Sequence, residues 1–478
     1  MKQTLLLESV MGQTRLAVLE DRRLVELYYE RPGEAKLEGN IYVGRVQNVL
    51  QGMNAAFVDI GLDKNGFLYA GDIRFDTRSD MTLAKQLDGM RIEKMLKRDC
   101  MMPVQVVKEP GGTKGPRLSG HITLPGRLMV LLPEMRYIGV SRKITDEAER
   151  DRLYAIGHAL SNEKGTAGMI LRTASLGATE AELRAEYLSL SEQWASVRNR
   201  CEHALKPGLI RADADLAFRA VRDFLGKQTE VLFCEGRPLY EKVRAYVELI
   251  APDKAERVQC HAEEIPLFDL YRVDAEAEKL ESRHVWLKSG GSLVIEETEA
   301  LTVIDVNTAK FTGDKKQEET LFKLNCEAAE EIMRQVRLRD LGGIIVVDFI
   351  DMAREDHRAA LMDRLRALAE RDRNRCNVLD MTTLGLVEMT RKKQRQPLSK
   401  QLMHICSACG GNGVVPSYET VAWKASREIW KKRRNGQTGS IIVEANASVI
   451  GWVKTVAAPT GGPLEYIISN ETDTYKLI

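Results

Sequence analysis

Asp305 and Asp348 each interrupt an otherwise apolar run, the first within Leu301-Thr-Val-Ile-Asp-Val-Asn307 and the second within Gly342-Gly-Ile-Ile-Val-Val-Asp-Phe-Ile-Asp-Met352. Two carboxylates brought within a few ångströms repel unless one takes a proton or a cation sits between them. Hard oxygen donors of this kind suit Mg²⁺, with Mn²⁺ as an alternative. Asn307 follows Asp305 by two residues, so in an extended chain its amide turns to the same side and can orient a metal-bound water or a phosphate oxygen. The plainer reading is that the acids cap loops at strand ends, and pattern alone does not separate the two. A second constellation is His404-Ile-Cys406-Ser-Ala-Cys409-Gly-Gly-Asn-Gly413. Two thiolates at this spacing with glycines after them wrap one side of a zinc ion, whereas a redox pair more often opens a helix. Zinc takes four ligands and no second Cys-x-x-Cys exists, so the simplest completion is the same pair from another chain. His404 as a third ligand from the same chain is the alternative.

The elements that must position the aspartates read as a βαβ unit. Runs rich in Val and Ile without polar alternation suit parallel strands covered on both faces, and the segment between them supplies the crossover. That segment is expected to be one helix, opened by a capping box at Asp314 and Gln317 and stopped at Gly342-Gly343. Leu321, Leu324, Ala328, Ile332 and Val336 recur on its inner face. Both acids then leave the sheet at its carboxyl edge, where α/β sheets bind ligands.

The stretches Ile304-Asp-Val-Asn-Thr308 and Asn325-Cys-Glu through Met352 closely resemble the catalytic core of the ribonuclease E/G family, and the resemblance extends over essentially the whole chain. It implies a multidomain α/β fold. Residues 1–35 with 211–280 would form a ribonuclease H-like domain lacking that fold's catalytic acids, interrupted by an OB-fold RNA-binding barrel over 36–118 and a 5′-sensor domain over 119–210. A deoxyribonuclease-like catalytic domain over 281–400, a zinc-link over 401–416 and a small oligomerisation domain over 417–478 would follow.

Composition sets the outer limits. A chain of 478 residues exceeds one hydrophobic core, and 44% hydrophobic residues is ordinary for a soluble protein, so several domains are expected. The net charge of +1 means that a polyanion must be met by local basic patches. Leu5-Leu6-Leu7 is too short for a signal segment and no stretch is long enough to span a bilayer, which predicts a cytoplasmic protein with no membrane segment, in a bacterium as the resemblance implies. The scattered cysteines suit a reducing compartment.

Residues 1–35 alternate as a β-hairpin with a turn at Glu20-Asp21-Arg22, and Pro32-Gly33 breaks the chain. From Gly39 to Leu118, short glycine-punctuated strands suggest a small barrel. Phe57 and Phe67 are there either core residues or rings that stack on bases, with Arg45, Lys64, Lys108 and Lys114 supplying charge. The resemblance favours RNA contact for both rings and for Lys108 and Lys114. Between 119 and 210, strands alternate with charged helices; Gly126 can let the backbone approach a ligand and Arg172 offers a fork for phosphate oxygens. In the family Arg172 and Thr173, with main chain at Gly126 and Val130, correspond to a pocket for a 5′-monophosphate, and Arg375 to a residue near the RNA path. The run Arg391-Lys-Lys-Gln-Arg395 is basic enough to touch phosphate, although such runs are more often solvated surface. Beyond the cysteines, a helix over 421–434 precedes short strands and the chain stops, as in the family's shorter branch.

The function implied is an endoribonuclease that hydrolyses single-stranded RNA with Mg²⁺ held by Asp305 and Asp348, with Asn307 as a third catalytic residue. It would prefer 5′-monophosphorylated ends, serve rRNA maturation and mRNA decay, and assemble as a homodimer or homotetramer through zinc shared by Cys406 and Cys409 of two chains. The rivals are a non-catalytic zinc-linked RNA-binding protein and a deoxyribonuclease.

Overall fold

The computed structural model describes residues 2–31, 36–73, 91–110, 114–164, 167–308, 317–456, 462–469 and 474–478. The break at Pro32-Gly33 and the cap at Asp314 lie outside them. The chain divides into two compact units, Met1–Pro397 and Leu398–Ile478.

The first unit opens with three strands, Gln3–Val10, Gln13–Glu20 and Arg23–Glu30, one more than the expected hairpin. Asp21 and Arg22 both have positive φ, 47° and 67°, the conformation that matches the right-handed twist of a two-residue hairpin. Leu5-Leu6-Leu7 is wholly buried in the central strand. Leu5 and Leu7 pack on Leu216, Val221, Val243 and Val247. The sheet is completed from distant sequence by Thr229–Glu235 and Val258–His261, in the order Val258–His261, Thr229–Glu235, Gln3–Val10, Gln13–Glu20, Arg23–Glu30.

Between these segments lies a closed five-stranded barrel of Ile41–Leu50, Ala55–Asp59, Gly66–Tyr69, Arg117–Ser119 and Met101–Lys108, with Gly208–Arg211 added outside the first strand. Val46, Ala56, Val58, Leu68, Val104, Val106 and Leu118 fill its interior. A Cβ at Gly66 would stand 2.4 Å from Leu118 Cδ1, so that glycine is required by the packing of the barrel. A four-stranded sheet follows, Ile138–Val140, Gly168–Leu171, Met129–Leu132, Leu124–Pro125 in spatial order, backed by helices Glu147–Lys164 and Glu180–Glu202. The second helix starts in a reciprocal Thr179–Glu182 capping box.

The unit ends in a six-stranded sheet ordered His284–Trp286, Ser292–Glu297, Leu301–Asn307, Gly343–Asp348, Leu386–Arg391, Cys376–Met381. Leu301–Asn307 and Gly343–Asp348 are parallel and joined by the helix Gln317–Leu338. Its Leu324, Ala328, Ile332 and Val336 pack with Ile304, Val306, Ile345 and Val347, and with Leu361 and Leu365 of the helix Glu355–Ala369. Coverage on both faces is not what the fold does. Val303 is 36% exposed and Ile344 51%, because every other pairing in the sheet is antiparallel and both helices pack into the one core on the opposite face. The helix stop also differs from expectation. Leu341 N–H donates to Val336 O at 3.0 Å and Asp340 N–H to Arg337 O at 3.2 Å, with Asp340 at φ 51°, so a Schellman turn with aspartate in the left-handed position ends the helix before the glycines.

The second unit packs helices Tyr418–Arg434 and Ala447–Val456 on a three-stranded sheet ordered Leu464–Ile468, Ile441–Ala445, Tyr475–Leu477. Ala422, Ala425, Ile429, Val443, Val449 and Val453 form its core.

Candidate active site

Register puts the two aspartates together. Asp305 and Asp348 are direct partners at the last rung of the parallel ladder, on the sheet face that the helices leave open. Asn307 Nδ2 donates to Asp305 Oδ2 at 2.8 Å, which turns the amide to the acids' side and holds one carboxylate oxygen. Asp348 is exposed, and its side chain makes no hydrogen bond or ion pair among the described residues. Two carboxylates and an amide oxygen offer hard donors from one edge and fit Mg²⁺; the described residues contain no group of three or more His, Cys, Asp and Glu side chains placed for a metal.

The chain leaving Asp348 is pinned from below. Asn325, fully buried on the crossover helix, donates from Nδ2 to Ile350 O at 2.8 Å and accepts from Ile350 N–H at 3.2 Å. It replaces the ladder partner that Ile350 lacks beyond the strand end, so the loop after the acid is tied to the crossover helix with both of these polar groups paired.

Arg172 follows the strand Gly168–Leu171 and is already engaged: its Nη1 donates to Gly126 O at 2.6 Å and lies 2.8 Å from Asp223 Oδ1. Burial pushes the Asp223 carboxyl up, but Arg222 and Arg172 together outweigh it and hold it below the ordinary carboxylate range. Thr173 Oγ1 is 2.8 Å from Ser141 Oγ, and Val130 pairs with Ile170 and Pro125. The four residues therefore cluster around neighbouring strands. Gly126, read from sequence as room for a ligand, is instead approached by the chain itself, since a Cβ there would lie 2.5 Å from Glu186 Oε1. Glu186 accepts the N–H groups of Arg127, Leu128 and Met129, a tie that needs the carboxylate close to the backbone.

On the barrel, Phe57 and Phe67 are register partners on the outer face, half-buried, with ring centroids 6.1 Å apart and planes at 70°. The core reading for them does not hold, because the strand alternation sends Ala56, Val58 and Leu68 inward. Arg117 is the cross-strand neighbour of both Phe67 and Lys108. Lys108, Lys114 and Arg375 are exposed. In the run at 391–395 the two arginines turn to the protein, while Lys392 and Lys393 are exposed. Arg391 is buried, with Asp340 at 2.6 Å and Asp372 at 2.7 Å, and Arg395 binds Asp340 while its guanidinium lies 3.8 Å over the Tyr28 ring.

In the second unit Cys406 and Cys409 lie on one turn, where Gly410 N–H donates to Cys406 O at 2.8 Å and Asn412 N–H to Cys409 O at 3.0 Å. The N–H groups of Gly413 and Gly411 draw the Cys409 thiol below its ordinary value, and Gly410, Gly411 and Gly413 all have positive φ. Backbone donors aimed at sulfur favour a thiolate, the form a metal binds, so the turn fits one side of a zinc ion. His404 forms no three-ligand cluster with the pair.

The family description that matches this chain is "Ribonuclease E/G family", over residues 123–394. The chain belongs to the ribonuclease E/G family. It is 38% identical over 450 residues to Ribonuclease G of Escherichia coli (strain K12), covering 94% of this chain and 92% of that one. To Ribonuclease G of Haemophilus influenzae it is 39% identical over 446 residues, covering 93% and 90%. Ribonuclease E of Haemophilus influenzae is 35% identical over 423 residues, 88% of this chain but 45% of that longer protein. No helix among the described residues of this ribonuclease E/G chain is long and apolar enough to cross a membrane. Sequence reasoning missed Asn325, Asp223, Glu186 and Arg117. Only Asn325 carried a signal: a polar residue beside Leu324 at the helical spacing of the apolar face, which is a position that burial leaves to a paired group.

Proposed function

We propose that this chain is an endoribonuclease that hydrolyses phosphodiester bonds of single-stranded RNA. The observation that carries the reading is the register pairing of Asp305 with Asp348 and the Asn307 amide bonded to the first of them. Asp305 and Asp348 would hold a magnesium ion, which would supply an activated water and neutralise charge at the phosphorus. Asn307 orients the phosphate by its amide. Phe57 and Phe67 give a sequence-tolerant stacking surface, and Lys108, Lys114 and Arg375 engage the backbone. Arg172, steadied at Nη1 by Gly126 O and Asp223, turns its remaining N–H groups to a 5′-monophosphate, with Thr173 and the main chain of Val130 beside it. In this reading the chain serves rRNA maturation and mRNA decay in a bacterial cytoplasm, as a dimer or tetramer joined through zinc at Cys406 and Cys409.

A 5′-monophosphorylated RNA with one cut site, offered beside DNA of the same sequence with and without EDTA, tests the core of this. Cutting of RNA alone, abolished by EDTA and by Asp305→Asn or Asp348→Asn with RNA binding retained, is expected, since losing a metal ligand without changing volume removes transition-state stabilisation. Wild-type turnover in either variant would remove Asp305 and Asp348 as metal ligands, and binding without cutting in the parent would leave a non-catalytic RNA-binding protein.

A further inference from the structure

A cavity of about 660 Å³ lies at the same edge of the sheet as Asp348, lined by the residues that follow it in the chain and not by Asp348 itself. One wall is the segment that leaves the acid, Phe349 to Met352, and the opposite wall is the turn Thr382–Gly385, which leads into Leu386, the ladder partner of Asp348. The third side is the helix Glu355–Ala369. Its size falls within the roughly 300–1,000 Å³ of small-ligand sites.

The lining chemistry argues for what enters. Phe349, Met352 and Met362 are each 5–6% exposed and form an apolar floor, while Leu384, 80% exposed, stands at the lip. Four carboxylates, Asp351, Glu355, Asp363 and Asp380, face two guanidiniums, Arg358 and Arg366. The guanidiniums are drawn to the chain, and the carboxylates outnumber them: Arg358 Nη1 donates to Met352 O at 2.6 Å, and Arg366 pairs with Asp363 at 3.4 Å and Asp380 at 3.2 Å. The cavity therefore repels phosphate and accepts a flat, uncharged group with apolar faces and N–H edges.

We infer that this cavity receives one unpaired nucleobase of the RNA, next to the scissile phosphate. The inference rests on the endoribonuclease reading. Seating a base there holds the strand at the sheet edge that carries Asp348, with the base covered by the cavity walls, and it selects unpaired RNA because a base held in a duplex cannot turn out into the cavity at low cost. Asn325 keeps the wall at Ile350 in shape.

Ala359 offers a clean probe, since it lines the cavity from an exposed helix position and Ala359→Phe fills the space without entering the core. An RNA with one cut site is prepared with a single abasic residue moved through the positions flanking the cut, and kcat/KM is measured for the parent and for A359F, with Ala359→Ser as control and melting curves for all. The parent should lose about tenfold at one position only, the scale of one stacked base. A359F should show the same loss on unmodified RNA and no further loss with the abasic residue at that position, and Leu384→Ala a smaller loss at the same position. If the parent cuts but no position carries an abasic penalty, or if A359F slows every RNA equally, the cavity assignment is overturned alone. A parent that cuts no RNA overturns the endoribonuclease reading with it.

Discussion

Buried polar side chains in this fold hold backbone, and Asn325 shows what that does for chemistry. Its amide gives Ile350 both a donor and an acceptor, two residues beyond Asp348, so removing it leaves an N–H and a C=O unpaired at a cost of about 1–3 kcal/mol. The larger consequence is positional. Asn325→Leu is expected to lower kcat by roughly tenfold to a hundredfold, as small displacements of a catalytic group do, with RNA affinity in EDTA unchanged and the Mg²⁺ midpoint raised. Single-turnover rates against Mg²⁺ concentration check this. A variant that melts earlier but keeps both kcat and the Mg²⁺ midpoint would confine Asn325 to stability.

At the level of the element, the barrel strands show how alternation decides a role. Ala55–Asp59 and Gly66–Tyr69 send Ala56, Val58 and Leu68 inward, which leaves Phe57 and Phe67 paired outside. Phe57→Ala and Phe67→Ala should each weaken single-stranded RNA binding by about 1–3 kcal/mol. Because the rings lie outside the packed interior, melting temperature should move by no more than a few degrees. Binding isotherms beside melting curves separate the two effects, and a large loss of stability with unchanged affinity would return both rings to a packing role.

Across the whole first unit, an ionic seam joins the N-terminal sheet to the crossover helix. Arg337 pairs with Glu20 at 2.7 Å and Glu26 at 2.8 Å, Arg334 donates to Leu24 O at 2.9 Å, and Arg23 reaches Glu331 at 2.9 Å. Burial pushes the Glu26 carboxyl up, yet Arg373 and Arg337 outweigh it and hold it below its ordinary 4.5. A depressed carboxyl contributes stability that is full above pH 4.5 and fades as pH falls through the lower folded value. Glu26→Gln should therefore cost about 3 kcal/mol near pH 7, and the gap from the parent should narrow below pH 4.5. Denaturant melts at pH 7 and pH 3.5 measure it; a gap independent of pH would remove Glu26 ionisation as the source. For the second unit, zinc shared between two chains predicts about half a zinc per chain, released with a fall in oligomer mass by Cys406→Ser or Cys409→Ser but not by His404→Ala. Metal analysis with native mass measurement decides, and one full zinc on a monomer would rule out the shared site.

What the residues alone determined is local and periodic. Apolar spacing marked the crossover helix, alternation marked the barrel strands, and the two interrupted Val/Ile runs led to a parallel pair with acids at one edge. Those features follow from side-chain direction within a few residues, so they are written along the chain. Tertiary structure decided what depends on contacts tens to hundreds of residues apart. Which sheet face stayed open depended on where both helices packed. Arg391 and Arg395, a solvated run by composition, became buried ties because Asp340, Asp372 and Tyr28 lie beneath them. Gly126 faces Glu186 and Arg172 faces Asp223, 60 and 51 positions away, through sheet packing that no spacing rule encodes. A residue's type limits the chemistry it can do, and its partners in the fold determine which part of that chemistry is left for a substrate.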